Sequence, residues 1–365
     1  MNKKILIIGG YGNTGQVIAT QLSEQFPGQI IVAGRNYQKA KELSLELKER
    51  VIPMVLDVSL VTANDGVPDD VGVVIMCLDI ENIEFVRQCI QMGIHYIDIS
   101  ASYDILSKIE AFYSTAEEVG ITAVLSVGLA PGLTNLLVRH LQSKLPDMIY
   151  ADIFLQFGLG EIHGDAAYQW ISENLNAEFP VSEYGITKPI KGFEVGKQTI
   201  FPGENRKRTA YQYNFPEQHV LLQTLGLGRV STWLCFDSAL ATSLLAFVKR
   251  TGISRILLIK HVEKFVVRIL KPLHLMLKRL GLSSEEFIIK VEAGNSPDEG
   301  VTHACWLRGE NEAFVTGLVA AKVAERLVSS SFPSGVFHIE QLIAPLEFFE
   351  SLGAHGLEFG EKEYL

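Results

Sequence analysis

Runs of apolar residues alternate with amphipathic stretches along the first third of the chain. The apolar run 5–8 precedes a segment whose apolar residues Val17, Ile18 and Leu22 have a helical spacing. The same alternation continues to about residue 130. Further strands are expected at 30–33, 71–76, 95–100 and 121–127, and helices at 83–92 and 109–119. The pattern predicts an α/β fold whose N-terminal domain is a doubly wound parallel sheet of the Rossmann type.

The pattern changes after Pro131. Candidate strands now follow one another with few helices between them, which predicts a second, α+β domain containing a mixed sheet. These strands are expected at 151–157, 209–215, 230–236, 287–292 and 302–307. A helical spacing returns over 312–328. We therefore divide the chain into residues 1–133, 134–310 and 311–365.

The first apolar run ends in a glycine-spaced turn. Gly10, Gly12 and Gly15 fit the spacing G-x-G-x-x-G between a predicted strand and a predicted helix. Gly10 permits the tight turn, Gly12 lets the backbone approach a pyrophosphate, and Gly15 lets the helix pack close to the strand. The helix N-terminus then offers N–H groups and positive potential to phosphates. The alternative is a glycine-rich turn in an unrelated α/β protein, but the order of the elements favours a dinucleotide site.

The end of the second predicted strand indicates which dinucleotide binds. An NAD site usually has an acidic residue there, whereas this chain has Arg35, about twenty residues beyond the turn. A guanidinium matches a phosphate, so NADP is favoured over NAD. Arg35 could instead be a solvated loop residue. Asp57, after the apolar run 52–56, is a candidate neighbour of the adenine or a cap of the next turn.

Composition limits the class of protein. With 365 residues, 47% of them hydrophobic, the chain can bury a core for two domains. Its four cysteines form no C-x-x-C pair, so we expect neither a metal site nor disulfides, and a cytoplasmic location fits best. No signal peptide is expected before the first strand. A net charge of −10 argues against nucleic-acid binding.

The charge is unevenly distributed. Residues 249–279 contain nine Lys or Arg and one acid, Glu263. Apolar residues spaced by threes and fours predict basic amphipathic helices within 238–280, interrupted or kinked at Pro272. No apolar run there is long enough to span a bilayer. Three interpretations stay open: a helix packed on its own domain, weak contact with an anionic membrane surface, or a subunit interface.

Several motifs resemble the saccharopine dehydrogenase and reductase family, which includes lysine dehydrogenases. They are the stretches 9–15, 93–100, 128–135 and 158–164, and a tail with Thr316-Gly317 and Gly335-Val336. The resemblance implies a Rossmann domain, an inserted substrate and dimerisation domain, and a C-terminal segment that packs back on the Rossmann domain. It also implies a nicotinamide cofactor, an amino acid or imine substrate and a homodimer. The chain departs from many relatives at Ala130, where they have Asp, and at Cys77-Leu78-Asp79, where they have Pro.

The residues expected at the cofactor come from the turn, from the strand ends and from the 128–135 motif. They are Gly10, Tyr11, Gly12, Asn13, Thr14, Gly15, Arg35, Asp57, Cys77, Leu78 and Gly132. A buried, unreactive thiol is the commoner fate of a residue such as Cys77.

Three residues are catalytic candidates because an amine or imine reaction must move a proton. Asp98 lies near the C-terminal end of a predicted strand, where ligands of α/β sheets gather, but it could instead hydrogen-bond the backbone near Ser100. Glu161 and His163 lie in a glycine-flanked turn before a predicted helix, where they could bind a polar substrate or donate a proton. Their alternative is an exposed turn with Asp165 as the helix cap.

Two functions are consistent with these residues. The first is an NADP-dependent oxidoreductase acting on an amino acid, imine or small carbonyl compound. The second, motivated by the missing acid at Ala130, is an NADP(H)-binding scaffold or redox sensor without turnover.

Overall fold

The computed structural model describes residues 3–60, 66–80, 82–160, 174–252, 284–296 and 300–364. The chain divides into two compact units, each made from two stretches of sequence. The first unit comprises Met1–Leu133 and Ala313–Ile343, and the second comprises Thr134–Glu312 and Ala344–Leu365.

The first unit is built on a parallel sheet. Its described strands are β1 (Lys4–Ile8), β2 (Ile30–Gly34), β3 (Val51–Val55), β4 (Val71–Met76), β5 (His95–Asp98), β6 (Thr122–Leu125) and β15 (Gly335–His338). Their order is β15-β6-β5-β4-β1-β2-β3, and every neighbouring pair is parallel. The chain proceeds outward from β1 in both directions, so β1 and β4 flank a topological switch point. The predicted doubly wound sheet is confirmed.

Continuous apolar sequence explains the central strands of this sheet. All six residues of β4 are buried, as are Ile5 to Ile8 of β1. Strands covered by helices on both faces cannot alternate apolar with polar residues, because both faces lie in the core. The core formed with the helices includes Phe85, Tyr96 and Leu106.

The helices of the first unit largely follow the predicted spacing. They are Asn13–Gln25, Tyr37–Glu46, Glu84–Gln91, Tyr103–Glu110, Tyr113–Val119, Glu312–Ser329 (whose first residue falls in the second unit) and Ile339–Leu342. The helix expected over 109–119 is in fact two, separated by Ala111 and Phe112. Gly317 of the long C-terminal helix packs on the first helix, since a Cβ there would stand 2.7 Å from Val17 Cβ. This C-terminal helix returns to the Rossmann sheet, as predicted.

The second unit contains a mixed sheet. Its described strands are β7 (Tyr150–Phe157), β8 (Glu178–Glu183), β9 (Ile186–Lys191), β10 (Gly196–Thr199), β11 (Arg208–Gln212), β12 (Arg229–Phe236), β13 (Glu286–Gly294), β14 (His303–Glu310) and β16 (Glu358–Glu363). The order is β10-β11-β12-β7-β13-β14-β16, and the β8–β9 hairpin joins at β12. The pair β12–β7 is parallel and the other pairs are antiparallel. Helices of this unit are Thr134–Lys144, Glu217–Thr224, Ala239–Arg250 and Pro345–Gly353.

A buried carboxylate ties three strands of the second sheet together. Asp152 on β7 has no exposed surface and accepts hydrogen bonds from Lys197 Nζ at 2.6 Å, Arg229 Nη2 at 2.9 Å and Trp233 Nε1 at 2.9 Å. Two cations and an indole N–H replace the water that the carboxylate loses on burial. The cluster thus links β7 to β10 and β12.

One predicted division of the chain is wrong. The segment 311–365 was expected to pack back on the Rossmann domain, but only Ala313–Ile343 does so. Residues after 343 belong to the second unit, where β16 pairs with β14 through six residues. The edge of β14 supplies unpaired backbone groups that this last strand satisfies.

Most of the basic segment lies outside the described residues, which stop at Gly252 and resume at Ser284. The helices predicted within 238–280 can therefore be compared only at their start, where Ala239–Arg250 is helical. No helix in the described ranges is both long and apolar enough to cross a membrane.

Candidate functional site

The glycine turn lies at the carboxyl end of β1. Gly9 N and Gly10 N both donate to Ala33 O, at 2.9 and 3.3 Å, and Gly12 N donates to Gly9 O at 2.9 Å. Gly9 has a φ of +75°, which favours glycine, and its Cα faces Leu78, since a Cβ would meet Leu78 Cδ2 at 2.7 Å. The chain can therefore reverse tightly between β1 and the following helix.

Gly15 brings that helix against the turn. A Cβ at Gly15 would stand 2.4 Å from Gly9 O and 2.6 Å from Gly10 Cα, and both of these are backbone atoms. A Cβ at Gly12 would meet only Gly9 O, at 3.2 Å. Gly15 thus has the close-packing role expected of the last glycine of the motif, while Gly12 keeps the backbone open.

The helix Asn13–Gln25 begins without a side-chain cap. Its N-cap is Gly12, and no acidic side chain stands in its first turn. The N–H groups of Asn13, Thr14 and Gly15 precede the first intrahelical hydrogen bonds and carry the positive end of the helix dipole. This arrangement suits a phosphate group, which would accept these hydrogen bonds.

Tyr11 and Arg35 stand where the turn meets the end of β2. The ring of Tyr11 covers Gly34, and Tyr11 Oη accepts a hydrogen bond from Asn36 N at 3.0 Å. Arg35 lies between Gly34 and Asn36 in the sequence, and its side chain is exposed. Asn36 in turn caps the next helix by accepting from Lys39 N at 3.2 Å. The backbone that carries the Arg35 side chain is therefore held beside the glycine turn.

Asp57 is occupied by its own turn. Its Oδ1 accepts from Ser59 N at 3.0 Å and from Ser59 Oγ at 2.6 Å. These hydrogen bonds hold the pKa of the Asp57 carboxyl below its usual value, and the positive charge of Arg35 contributes in the same direction. Asp57 thus caps its own turn, which was one of the two roles considered for it. Both of these hydrogen bonds use Oδ1, so Oδ2 can make other contacts.

A buried acid lies at the carboxyl end of β5. Asp98 has no exposed surface; its Oδ2 accepts from Tyr96 Oη at 2.6 Å and its Oδ1 from Ser100 N at 2.7 Å. Burial raises the pKa of the Asp98 carboxyl to about 6, although both hydrogen bonds favour the charged form. Asp98 thus makes the backbone hydrogen bond near Ser100 that was considered as its structural role. Its carboxyl also has a pKa shifted toward neutrality.

Ser100 connects this acid to the surface. Its hydroxyl donates to Asp79 Oδ1 at 3.3 Å, and Asp79 is exposed. Cys77, two residues before Asp79, is a neighbour of Asp98, whose charge adds to the burial that raises the pKa of the Cys77 thiol far above its usual value. The raised pKa keeps this partly buried thiol protonated at neutral pH.

Gly132 lies in the turn that follows β6. Its φ is +136°, and a Cβ would stand 3.1 Å from Ser126 O. Ser126 itself has a φ of +55° and is fully buried. Because β6 is parallel to β5, this turn lies at the same edge of the sheet as Asp98, and Val127 N donates to Asp98 O at 3.1 Å.

A polar chain that the sequence did not reveal holds Ser126. Its hydroxyl lies 2.8 Å from His338 Nδ1, and His338 Nε2 lies 2.9 Å from Glu110 Oε1. His338 is the last residue of β15 and Ser126 directly follows β6, so the contact joins ends of adjacent strands. Gly9 and Gly34 were also missed. The role of Gly9 could have been predicted from the Gly9-Gly10 doublet after an apolar run. The contact between Ser126 and His338 could not, because the two residues are 212 positions apart in the sequence.

Two predicted catalytic residues have no described position. Glu161 and His163 lie in the stretch 161–173, outside the described residues. The structure brings the glycine turn, Arg35, Leu78 and Asp98 to one edge of the first sheet. Within the described ranges, no group of three or more His, Cys, Asp or Glu residues is arranged to hold a metal ion.

This fold and turn define a dinucleotide-binding protein of the Rossmann class. Residues 5–124 match the family model of the saccharopine dehydrogenase NADP-binding domain. The resemblance drawn from the motifs is confirmed for the N-terminal domain, which is an NADP-binding domain of the saccharopine dehydrogenase type, with NADP as the cofactor.

Similar solved structures have low sequence identity to this chain, and the first of those below shares its fold. Apo saccharopine dehydrogenase (L-Glu forming) from Saccharomyces cerevisiae aligns over 100% of both chains with 14% identity and a TM-score of 0.63. A mutant meso-dapdh from Clostridium tetani, solved with DAP, has 13% identity, 93% and 94% coverage and a TM-score of 0.43. GenD2 from gentamicin A biosynthesis, in complex with NAD, has 12% identity, 100% and 97% coverage and the same TM-score. No curated protein matches the sequence.

Proposed function

We propose that the chain is an NADP-dependent oxidoreductase that transfers a hydride to or from an amino acid, an imine or a related small carbonyl compound. The observation that carries the proposal is the uncapped helix start at the glycine turn, with exposed Arg35 at the end of the adjacent strand. The saccharopine dehydrogenase type of the NADP-binding domain supports a dehydrogenase reaction.

The described residues fit this cofactor. Gly12 leaves the backbone of the turn open, where a larger residue would place a side chain, and the first N–H groups of the helix are available to a pyrophosphate. Arg35 offers a fork of donors to a 2′-phosphate, and no acidic residue stands at its position to favour a free ribose hydroxyl. These residues would hold the adenosine and phosphate end of the dinucleotide.

Asp98 is the acid that we assign to the other end of the site. When bound, the nicotinamide supplies or accepts the hydride. The protein must orient the substrate and manage one proton. Asp98 has no exposed surface, so we propose that it holds Ser100 and through it the exposed Asp79 carboxylate. With a pKa of about 6, it can gain or lose a proton near neutral pH.

The proposal is tested first by cofactor discrimination. Arg35→Glu should weaken NADPH binding roughly 10- to 100-fold, because a charge-assisted hydrogen bond to a phosphate contributes about 1.5–3 kcal/mol, and NADH binding should not weaken. Lys41→Glu, the same charge reversal at an exposed site on the following helix, is the matched control. Fluorescence titration measures both. Unchanged NADPH affinity in Arg35→Glu would remove the NADP assignment of Arg35.

Turnover is tested separately with amino acids, keto acids with ammonia, and amines. The proposal expects NADPH or NADP consumption with at least one substrate and a slower rate in Asp98→Asn.

A second candidate, an NADP(H)-binding scaffold or redox sensor, is favoured by the complete burial of Asp98 and by Ala130 in the turn after β6. It predicts binding with no consumption across the whole panel.

A further inference from the structure

The order of the parallel strands indicates which end of a dinucleotide faces the turn after β6. The glycine turn and Arg35 lie at the ends of β1 and β2, where the phosphates and the adenosine are expected. Strands β4, β5 and β6 lie on the other side of β1. A dinucleotide that crosses the carboxyl edge of the sheet therefore brings its nicotinamide toward the ends of these strands. Among residues 126–133, all of them described, only Ala130 is not buried, so it is the part of the turn open to a ligand.

Ser126 sets the path of this turn through an unusual backbone conformation. Its φ of +55° lies in the left-handed region, which favours glycine, yet the residue is serine. Its carbonyl oxygen packs against Gly132, where a Cβ would stand 3.1 Å away. Strained conformations of this kind persist where the surrounding groups hold them, and they cluster at functional sites. We therefore expect the side chain of Ser126 to contribute something that glycine could not.

Two hydrogen bonds in series hold the side chain of Ser126. His338 Nε2 lies 2.9 Å from Glu110 Oε1, and a carboxylate can only accept, so this ring nitrogen donates. In a neutral imidazole the other nitrogen, Nδ1, then accepts the proton of the Ser126 hydroxyl, whose oxygen is 2.8 Å away. Both Ser126 and His338 are buried, so water does not compete for these hydrogen bonds. The turn after β6 is thus fastened to the end of β15 and to the helix Tyr103–Glu110.

These three residues do not act as a catalytic triad. Serine, histidine and an acid form the nucleophilic triad of many hydrolases, in which the serine hydroxyl must reach the substrate. Ser126 has no exposed surface, so its hydroxyl cannot attack a bound molecule. The hydrogen bonds therefore serve the backbone of the turn that Ser126 begins.

We propose that Ser126, His338 and Glu110 position the turn 127–132 for contact with the nicotinamide half of the cofactor. The hydrogen bond from the Ser126 hydroxyl keeps the left-handed backbone at that residue, and this backbone directs Ala130 to the carboxyl edge of the sheet. Ser126 and His338 are positioning residues, because they act on the turn and do not touch the ligand. This inference rests on the NADP site of the proposed function and not on its turnover.

The test compares NADPH with 2′,5′-ADP, which has the adenosine and the 2′-phosphate but no nicotinamide. His338→Phe should lower the affinity for NADPH about tenfold, the effect of one lost hydrogen bond, and should leave the affinity for 2′,5′-ADP unchanged. Isothermal titration calorimetry measures both ligands. The matched control is Thr122→Val, which removes the hydrogen bond of Thr122 Oγ1 to Pro333 O near the start of the same two strands. It should leave both affinities unchanged.

Two further variants separate positioning from folding. Ser126→Gly suits the φ of +55° and should stay folded, yet it removes the hydroxyl and should lower the NADPH affinity as His338→Phe does. His338→Asn keeps a side chain that can accept the hydroxyl proton and should restore most of that affinity. Equal losses for both ligands, or wild-type NADPH affinity in Ser126→Gly, would overturn the inference. Since only binding is measured, a protein that binds NADPH without turnover would contradict the oxidoreductase proposal alone.

Discussion

The ring of Tyr11 lies against the Cα atom of Gly34. A Cβ at Gly34 would stand 2.5 Å from the Tyr11 hydroxyl oxygen and 2.6 Å from two ring carbons. The hydroxyl also accepts the hydrogen bond of Asn36 N. The turn after β1 is thereby fastened to the end of β2, where Arg35 stands.

Gly34→Ala should therefore displace the Tyr11 ring. We expect the free energy of unfolding to fall by about 1–3 kcal/mol, the usual result of overpacking, and NADPH affinity to fall with it. In the background of Tyr11→Ala, the same Gly34→Ala change should cost clearly less, because the obstructing ring is gone. Urea denaturation and NADPH titration of the four proteins provide the comparison. Equal costs in both backgrounds would mean that the contact does not constrain the turn.

Gly15→Ala should be more damaging, because the obstructing atoms belong to the backbone. Gly9 O and Gly10 Cα cannot rotate away, so the first helix must move off the turn. We expect a loss of about 2 kcal/mol or more in unfolding free energy and no measurable NADPH binding. Gly353→Ala is the control: a Cβ there meets no atom within 4 Å, and the change should alter stability by no more than about 1 kcal/mol.

Asp98 should make the protein less stable as pH rises from about 4 to about 6. Its pKa is raised from 3.8 to about 6 on folding, so the folded state binds the proton more tightly and burial of the ionised form costs free energy above that range. The shift corresponds to roughly 3 kcal/mol at most. The free energy of unfolding is measured against pH for the wild type and for Asp98→Asn. The difference between the two profiles isolates the contribution of Asp98, since the other carboxyls titrate in both proteins.

The opposite sign is expected at Asp57, which serves as the control. Its pKa is lowered by the hydrogen bonds from Ser59, so its contribution is present at neutral pH and is lost as pH falls through the lowered pKa. The difference profile of Asp57→Asn should therefore rise with pH below the ordinary carboxyl pKa of 3.8 and stay flat from there to pH 6, the range in which that of Asp98→Asn falls. A flat difference profile for Asp98→Asn between pH 4 and pH 6 would contradict the raised pKa.

His338→Phe should leave the buried Ser126 hydroxyl without its partner. We expect a loss of about 2 kcal/mol in unfolding free energy, the cost of an unsatisfied buried polar group. Ser126→Ala should cost less when His338 is already Phe, with a coupling of about 1 kcal/mol between the two sites. Guanidinium denaturation of the double-mutant cycle measures it. Strict additivity would show that the hydrogen bond at 2.8 Å contributes nothing to stability.

Local pattern was sufficient for much of the fold. The apolar run of β4 and the glycine spacing at residues 10–15 each depend on neighbours in sequence, and both were predicted. Strands β9 and β10 were missed because they are short and expose about half or more of their residues, such as Lys188. Strand β8 was missed because it buries only two apolar side chains, Phe179 and Val181. Strand β16 was missed because four of its six residues are charged, and its pairing with β14 is distant in sequence.

The same distinction applies to the candidate site. Arg35 and Asp98 could be proposed because each lies at or near the end of a predicted strand, and parallel strands place such positions at one edge. The roles of Gly34 and His338 depend on contacts with Tyr11 and Ser126, which are distant in sequence. No periodicity encodes such contacts, since they arise only when the sheet has assembled.

The place of β15 has a consequence for how the chain is made. This strand covers the edge of β6, yet it comes from residues 335–338, about two hundred residues after β6. A nascent chain with only its first 133 residues outside the ribosome exposes the backbone groups of β6 along that edge. The NADP-binding sheet therefore completes its assembly only after residues 335–338 have emerged, when the stretch Thr134–Glu312 of the second unit has already been translated.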